Sequence, residues 1–192
     1  IEKAGYWIED CRACGHRHTT VPPRPDHVAE TYGDPYFFGG GAGYQDYLSE
    51  AAILRRHGSR YAQLVGRHTS PSRMLDVGAA AGFVLDGFCE AGWEGHGIEP
   101  NARMVEHARQ RHGPSVIQGS LEQLAPSEPY DLITMIQVLA HFQDLDQALN
   151  VAAAATAPGG WWLVETWNCH SLTARLFGQR WHEYSPPTVL HW

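Results

Sequence analysis

The sequence predicts an α/β fold, a doubly wound and mainly parallel sheet with helices on both faces. Three observations predict it. From residue 73 onward short apolar strands alternate with amphipathic helices, the pattern of right-handed βαβ crossovers. Tyr130–Ile136 is apolar almost throughout, as suits a strand covered on both faces. The turn Gly78-Ala79-Ala80-Ala81-Gly82 joins the first of these strands to a helix, where such sheets bind ligands.

In chain order, Gly5–Glu9 reads as a strand, followed by Cys11-Arg12-Ala13-Cys14-Gly15. Residues 21–43 are rich in Pro and Gly and read as a linker around Tyr36-Phe37-Phe38, which is expected to dock on the main domain. A helix is expected from Tyr44 to Arg67, with Tyr47, Ala51, Leu54, Tyr61 and Val65 on one face and a break at Gly58. Arg73–Val77 is a strand, Gly82–Ala91 a helix stopped by Gly92, and Gly95–Ile98 a strand. Asn101 caps a helix that ends at Gly113-Pro114, and Ser115–Ile117 is the third strand of the unit. Tyr130–Ile136 is the fourth. Asp144 caps a helix to Ala157, with Leu145, Leu149 and Ala152 inward; Pro158-Gly159-Gly160 ends it, and Trp161–Thr166 is the fifth strand. Two segments result: an extension over residues 1–43 and a ligand-binding domain over 44–192.

The chain has 192 residues, one domain with a small appendage. A net charge of −7 and the lack of a basic stripe argue against a nucleic-acid partner. Cysteines at 11, 14, 89 and 169 make no disulfide framework and point to a reducing, cytoplasmic setting. Ile1-Glu2-Lys3-Ala4 has no signal-peptide core, and no run approaches 18 apolar residues, so no membrane partner is expected.

The ligand is read from the turn and the acids around it. Gly78 allows the sharp exit from the strand, and Ala79, Ala80 and Gly82 let a ligand approach the backbone. The helix that starts at Gly82-Phe83 offers its N-terminus to a carboxylate. Asp76, just before the turn, would repel a pyrophosphate but suits an ammonium or sulfonium group. Glu99 stands where a carboxylate can accept both hydroxyls of a ribose. A dinucleotide fingerprint started at Gly78 needs glycines at 80 and 83 and meets Ala80 and Phe83 instead.

At these residues the chain resembles the class I S-adenosylmethionine (SAM) methyltransferases, which have a Rossmann-like fold. Leu75–Gly82 resembles their first motif, with Ala80 in place of its middle glycine. Gly97-Ile98-Glu99-Pro100 is similar to their acidic second-strand motif. Gln118-Gly119-Ser120-Leu121 resembles the segment that flanks the adenine, and Asp131–Phe142 the fourth-strand motif. Within them it resembles the ubiquinone-biosynthesis type and relatives that act on small molecules, sugars or natural products, whose fourth strand often ends Leu-Glu-His; here it reads Leu139-Ala140-His141, with Gln137 where an acid is common. The resemblance implies SAM as cofactor, a small-molecule acceptor, and methyl transfer to an O, N or C nucleophile. SAM contacts are implied for Asp76, Gly78, Ala79, Ala80, Gly82, Phe83, Glu99, Pro100, Gly119, Ser120, Leu121 and Gln137. His141 is the first candidate for a general base, ahead of His170 and His182. Two other readings stand beside it, a SAM-binding module without transfer activity, supported by Ala140, and a nucleotide-dependent oxidoreductase.

Cys11-x-x-Cys14-Gly15 resembles half of a zinc ribbon, a module that many relatives carry complete. His16 and His18 are near, but four ligands within 11–18 make poor tetrahedral geometry. Two free thiols in a turn are therefore expected, with no metal, and zinc is the alternative. The C-terminal run Trp181–Trp192 resembles a segment that precedes the last two strands of the fold, which this sequence does not contain.

Overall fold

The structure, a computed structural model, describes residues 1–3, 6–20, 30–40, 43–142, 144–184 and 188–192. The linker expected over 21–43 and the run Ser185-Pro186-Pro187 lie partly or wholly outside the described residues. The elements are β1 (Glu2–Lys3), β2 (Tyr6–Asp10), β3 (Arg17–Thr19), α1 (Asp34–Phe38), α2 (Ala51–Val65), β4 (Arg73–Val77), α3 (Phe83–Glu90), β5 (Glu94–Glu99), α4 (Ala102–His112), β6 (Val116–Gln118), β7 (Tyr130–Ile136), α5 (Leu145–Ala155), β8 (Thr156–Glu165), α6 (Leu172–Phe177) and β9 (Leu190–His191).

The central sheet is parallel, in the order β6-β5-β4-β7-β8. This is the Rossmann-like arrangement that the βα alternation predicts, with the order reversing between β4 and β7. Met74, Leu75, Leu132 and Ile133 on the two middle strands are at most 1% exposed, because helices cover both faces. Each such side chain contributes about 1.5–3 kcal/mol of burial. A second, antiparallel sheet runs β1-β2-β3-β9 and joins the first strands to the last. No helix among the described residues is long and apolar enough to cross a membrane.

The caps agree with the sequence. The Asn101 side chain accepts from Met104 N at 2.9 Å and that of Asp144 from Gln147 N at 2.9 Å, each satisfying an orphan N–H of a first turn. Two expectations are corrected. Gly58 does not break its helix: α2 runs through it, and a Cβ there would stand 2.1 Å from the Val84 carbonyl oxygen. Gly87 on α3 faces the same crossing, where a Cβ would lie 2.3 Å from Ser59 N. The pair of glycines lets the two backbones touch. Pro158-Gly159-Gly160 does not end the fifth helix. That helix stops at Ala155, and β8 begins at Thr156, paired with Tyr130, before an irregularity that resumes at Leu132 with Trp161.

Residues before the main domain also pack on it. Phe37 of α1 is buried against Tyr47, Ala80, Phe83 and Met104, as its apolar run predicts.

Candidate functional site

A cavity of about 1150 Å³ opens at the carboxyl ends of the parallel strands. Its floor is the turn after β4. Gly78, Ala80 and Gly82 all take positive φ, of 71°, 45° and 77°. Gly78 N and Ala79 N donate to the Ile98 carbonyl at 2.9 and 3.2 Å, which ties the turn to β5. Ala80 holds the left-handed conformation without being glycine, at a cost of roughly 1–2 kcal/mol. What holds it is Glu99: its Oε2 accepts from Ala80 N at 2.9 Å and its Oε1 from Asn101 N at 2.8 Å.

Asp76 and Glu99 are each 3% exposed and both line the cavity. Burial pushes the Asp76 carboxyl up to about 6, restrained by the Thr134 hydroxyl that donates to Oδ1 at 2.6 Å. Burial pushes Glu99 up to about 7, against the pull of the Asn101 and Ala80 N–H groups and with a further push from Asp76. Two carboxylates in one dry site raise each other's proton affinity until a cation or hydroxyl donors arrive.

Gly78, Ala79, Ala80 and Pro100 line the same cavity, as do Gly119, Ser120 and Leu121 on its far side. Gly119 N donates to the Glu99 carbonyl at 3.0 Å. Gly82 and Phe83 stand behind this lining. The Phe83 ring stacks on Tyr47 at 5.8 Å and meets the guanidinium groups of Arg55 and Arg111 at 5.2 and 4.9 Å from its centroid. Beneath them Asp86 accepts from Arg55 Nε at 2.8 Å, Arg111 Nε at 3.0 Å and His112 Nε2 at 2.7 Å. Burial alone would raise the Asp86 carboxyl, but His112, Arg55 and Arg111 hold it down at about 2. The Asp86 hydrogen bond, with help from Cys89, lifts His112 to about 9. Arg111 also donates to the Ala81 carbonyl, and His112 Nε2 lies 3.3 Å from the Gly82 carbonyl, so this network grips the turn from its helix side.

His141 ends a short 3-10 turn after β7, and its ring meets Tyr32 edge-on at 5.4 Å beside the cavity. His182 reaches the cavity and bonds Glu183 at 2.9 Å, whereas His170 is exposed and off the lining. Gln137 has φ 59° and donates from its backbone to the Glu165 carbonyl and from Nε2 to Glu165 Oε1, at 2.8 and 3.0 Å.

The sequence points to the outer wall only as segments, through aromatic clusters at Tyr32–Tyr47 and Trp161–Trp192 that could wall an apolar pocket, and singles out none of its residues as site residues. Tyr61 donates to Glu165 Oε2 at 2.6 Å, and Tyr32, Tyr36, Tyr44 and Glu183 also line the cavity.

Residues 44–191 match the family model described as a methyltransferase domain. The ubiquinone biosynthesis O-methyltransferase of Rhodopseudomonas palustris (strain BisB18) is 31% identical over 101 residues, 50% of this chain and 40% of that relative. Its counterpart in Paramagnetospirillum magneticum is 31% identical over 128 residues, 61% of this chain and 50% of that one. These matches thus span half or less of the relatives' own length. Among solved structures, DesVI of Streptomyces venezuelae gives a TM-score of 0.56 at 25% identity over 64% of this chain and 54% of that one. SAM-bound CalS10, an amino pentose methyltransferase of Micromonospora echinaspora, gives 0.52 at 24% identity over 62% and 56%, a likeness of fold. The matched span takes in the whole parallel sheet and the turn at its centre, and the chain belongs to the methyltransferase domain family.

Proposed function

We propose that this chain binds SAM in the cavity and transfers its methyl group to a small-molecule acceptor. The observation that carries the reading is the pair of buried carboxylates, Asp76 and Glu99, at adjacent strand ends facing one cavity. A carboxylate oxygen has lone pairs beyond the one given to a backbone N–H, so Glu99 keeps acceptors for a ribose diol. Asp76 Oδ1 is taken by Thr134, and the rest of the group suits the cationic end of the cofactor. Gly119, Ser120 and Leu121 form the wall on which the adenine would rest, and the turn leaves backbone within reach of the amino-acid end. SAM supplies an already activated sulfonium methyl, so the chain's own task is orientation and exclusion of water.

Tyr32 and His141 stand together at the acceptor side. For a hydroxyl acceptor, His141 takes the proton released as the new bond forms; an amine acceptor needs no such base at the attacking step. The expected result is that His141→Ala lowers turnover of radiolabelled methyl by on the order of 10²-fold, with SAM affinity by calorimetry unchanged. Wild-type turnover in that variant removes His141 from the chemistry. Ala140, buried where the resembled motif often has an acid, favours a second reading: a module that binds SAM without transferring methyl. SAM binding with no labelled product across hydroxyl and amine acceptors decides for it.

A further inference from the structure

The resemblance to half of a zinc ribbon leaves open whether the residues present make a site of their own. Cys11 and Cys14 flank the turn between β2 and β3, and His18 lies on β3. Their donor atoms, Sγ, Sγ and an imidazole nitrogen, all lie within 4.8 Å of one another, and Cys14 Sγ is 3.0 Å from His18 Nε2. Around a tetrahedral zinc, sulfur and nitrogen ligands stand roughly 3.5–3.8 Å apart. Closing the group on an ion therefore needs movements of under about 1 Å, in side chains of which Cys14 is exposed and Cys11 and His18 half-buried.

The backbone is shaped for it. Cys11 N donates to the His16 carbonyl at 2.8 Å, and Gly15 N to the Cys11 carbonyl at 2.9 Å, with Gly15 at φ 77°. His16 is directed elsewhere; its ring packs on Trp192 at 4.6 Å.

We propose that Cys11, Cys14 and His18 are ligands to one zinc ion, the three donors that the described residues bring together. The two thiols each release a proton to solvent on binding, and His18 gives its Nε2 lone pair. The ion has a use in this fold. β3 carries Arg17, which bonds the Tyr184 hydroxyl, and Thr19, whose Oγ1 lies 3.0 Å from His191 Nε2. The strand itself pairs with β9. Glu183 and Thr188, on the same C-terminal stretch, line the cavity. The metal therefore braces the outer wall of the site and leaves the turn after β4 untouched. The inference does not rest on SAM binding, and each can fail alone.

The test is metal content of the full chain by native mass spectrometry, followed by Co(II) reconstitution. One Zn(II) per chain is expected, and with Co(II) a thiolate charge-transfer band with the ligand-field bands of a tetrahedral ion. Cys14→Ser and His18→Ala should weaken metal affinity by at least about 10–100-fold, and His16→Ala should not change it. Circular dichroism and SAM calorimetry check that the variants fold. Chelation should speed amide exchange in β3 and β9 but not in β4 or β5. A chain that takes up no Zn(II), a Cys11–Cys14 disulfide under reducing purification, or wild-type Co(II) spectra from His18→Ala overturns the proposal.

Discussion

The turn after β4 has charged groups on both sides, and the two sides are built on opposite principles. On the helix side Asp86 is saturated by Arg55, Arg111 and His112; a further Arg111 N–H reaches the Ala81 carbonyl, and the His112 Nε2 that bonds Asp86 also lies 3.3 Å from the Gly82 carbonyl. On the cavity side Asp76 and Glu99 are as well buried but face no basic side chain at hydrogen-bond distance among the described residues. The first set spends its electrostatics on holding the backbone still. The second keeps its electrostatics in reserve for whatever enters. A rigid turn between a saturated floor and an unsaturated ceiling is the arrangement expected of a preorganised ligand site.

Breaking the cavity side gives the largest expected effect. Glu99→Ala removes the proposed diol acceptor and orphans two buried N–H groups, at about 1–3 kcal/mol each. SAM affinity should fall by at least about 100-fold in calorimetry, and unchanged affinity sinks the ribose assignment. Glu99→Gln, which keeps the size, should recover fold but little affinity. On the helix side, Asp86→Ala leaves Arg111 and His112 facing each other. It should cost about 3 kcal/mol in denaturant unfolding, the low end for breaking a buried pair because Arg55 and Arg111 are partly wetted.

The same comparison has a pH signature. His112 is raised from 6.5 to about 9, so its contribution is complete below about 6.5 and is lost as pH rises through about 9. Asp86 is depressed, so its contribution is complete above 3.8 and is lost as pH falls through about 2. Asp76 and Glu99 are raised carboxyls, which favour folding below their ordinary values and lose that as pH rises through about 6 and about 7. Without ligand, thermal stability should therefore decline in two steps above pH 4. Glu99→Gln should weaken the lower step and His112→Gln remove the upper one; a single unresolved decline in both variants contradicts the division. The smallest effect is at Ala80→Gly. Relief of the left-handed strain is offset by the entropy of the unfolded glycine, leaving a gain under about 1 kcal/mol in Tm-derived stability.

The half of the cavity built around the turn was legible because its signals are local. Asp76, Gly78 and Gly82 are close in sequence, and Glu99 ends the next strand, so period, turn chemistry and one acid place them together. The outer wall is assembled from Tyr32, Tyr61, Glu165 and Glu183, which no spacing rule connects. Gly58 was misread for a related reason. Its value is the absence of a side chain against Val84, a contact with another helix that helix propensity does not contain. The strand start at Thr156 was missed because a bulge absorbs Pro158-Gly159-Gly160, which in sequence looks like a full stop.

The pairing of β3 with β9 sets an order of events in folding. Thr19 and His191 lie 172 positions apart, and the entropy of closing so long a loop is recovered only after the chain between them has collapsed. The parallel sheet, whose strands are near neighbours along the chain, forms first. The N-terminal hairpin then waits with one edge open until β9 arrives. Unfolding should run in reverse, with protection lost at Leu190–His191 before it is lost at Leu75 or Ile133.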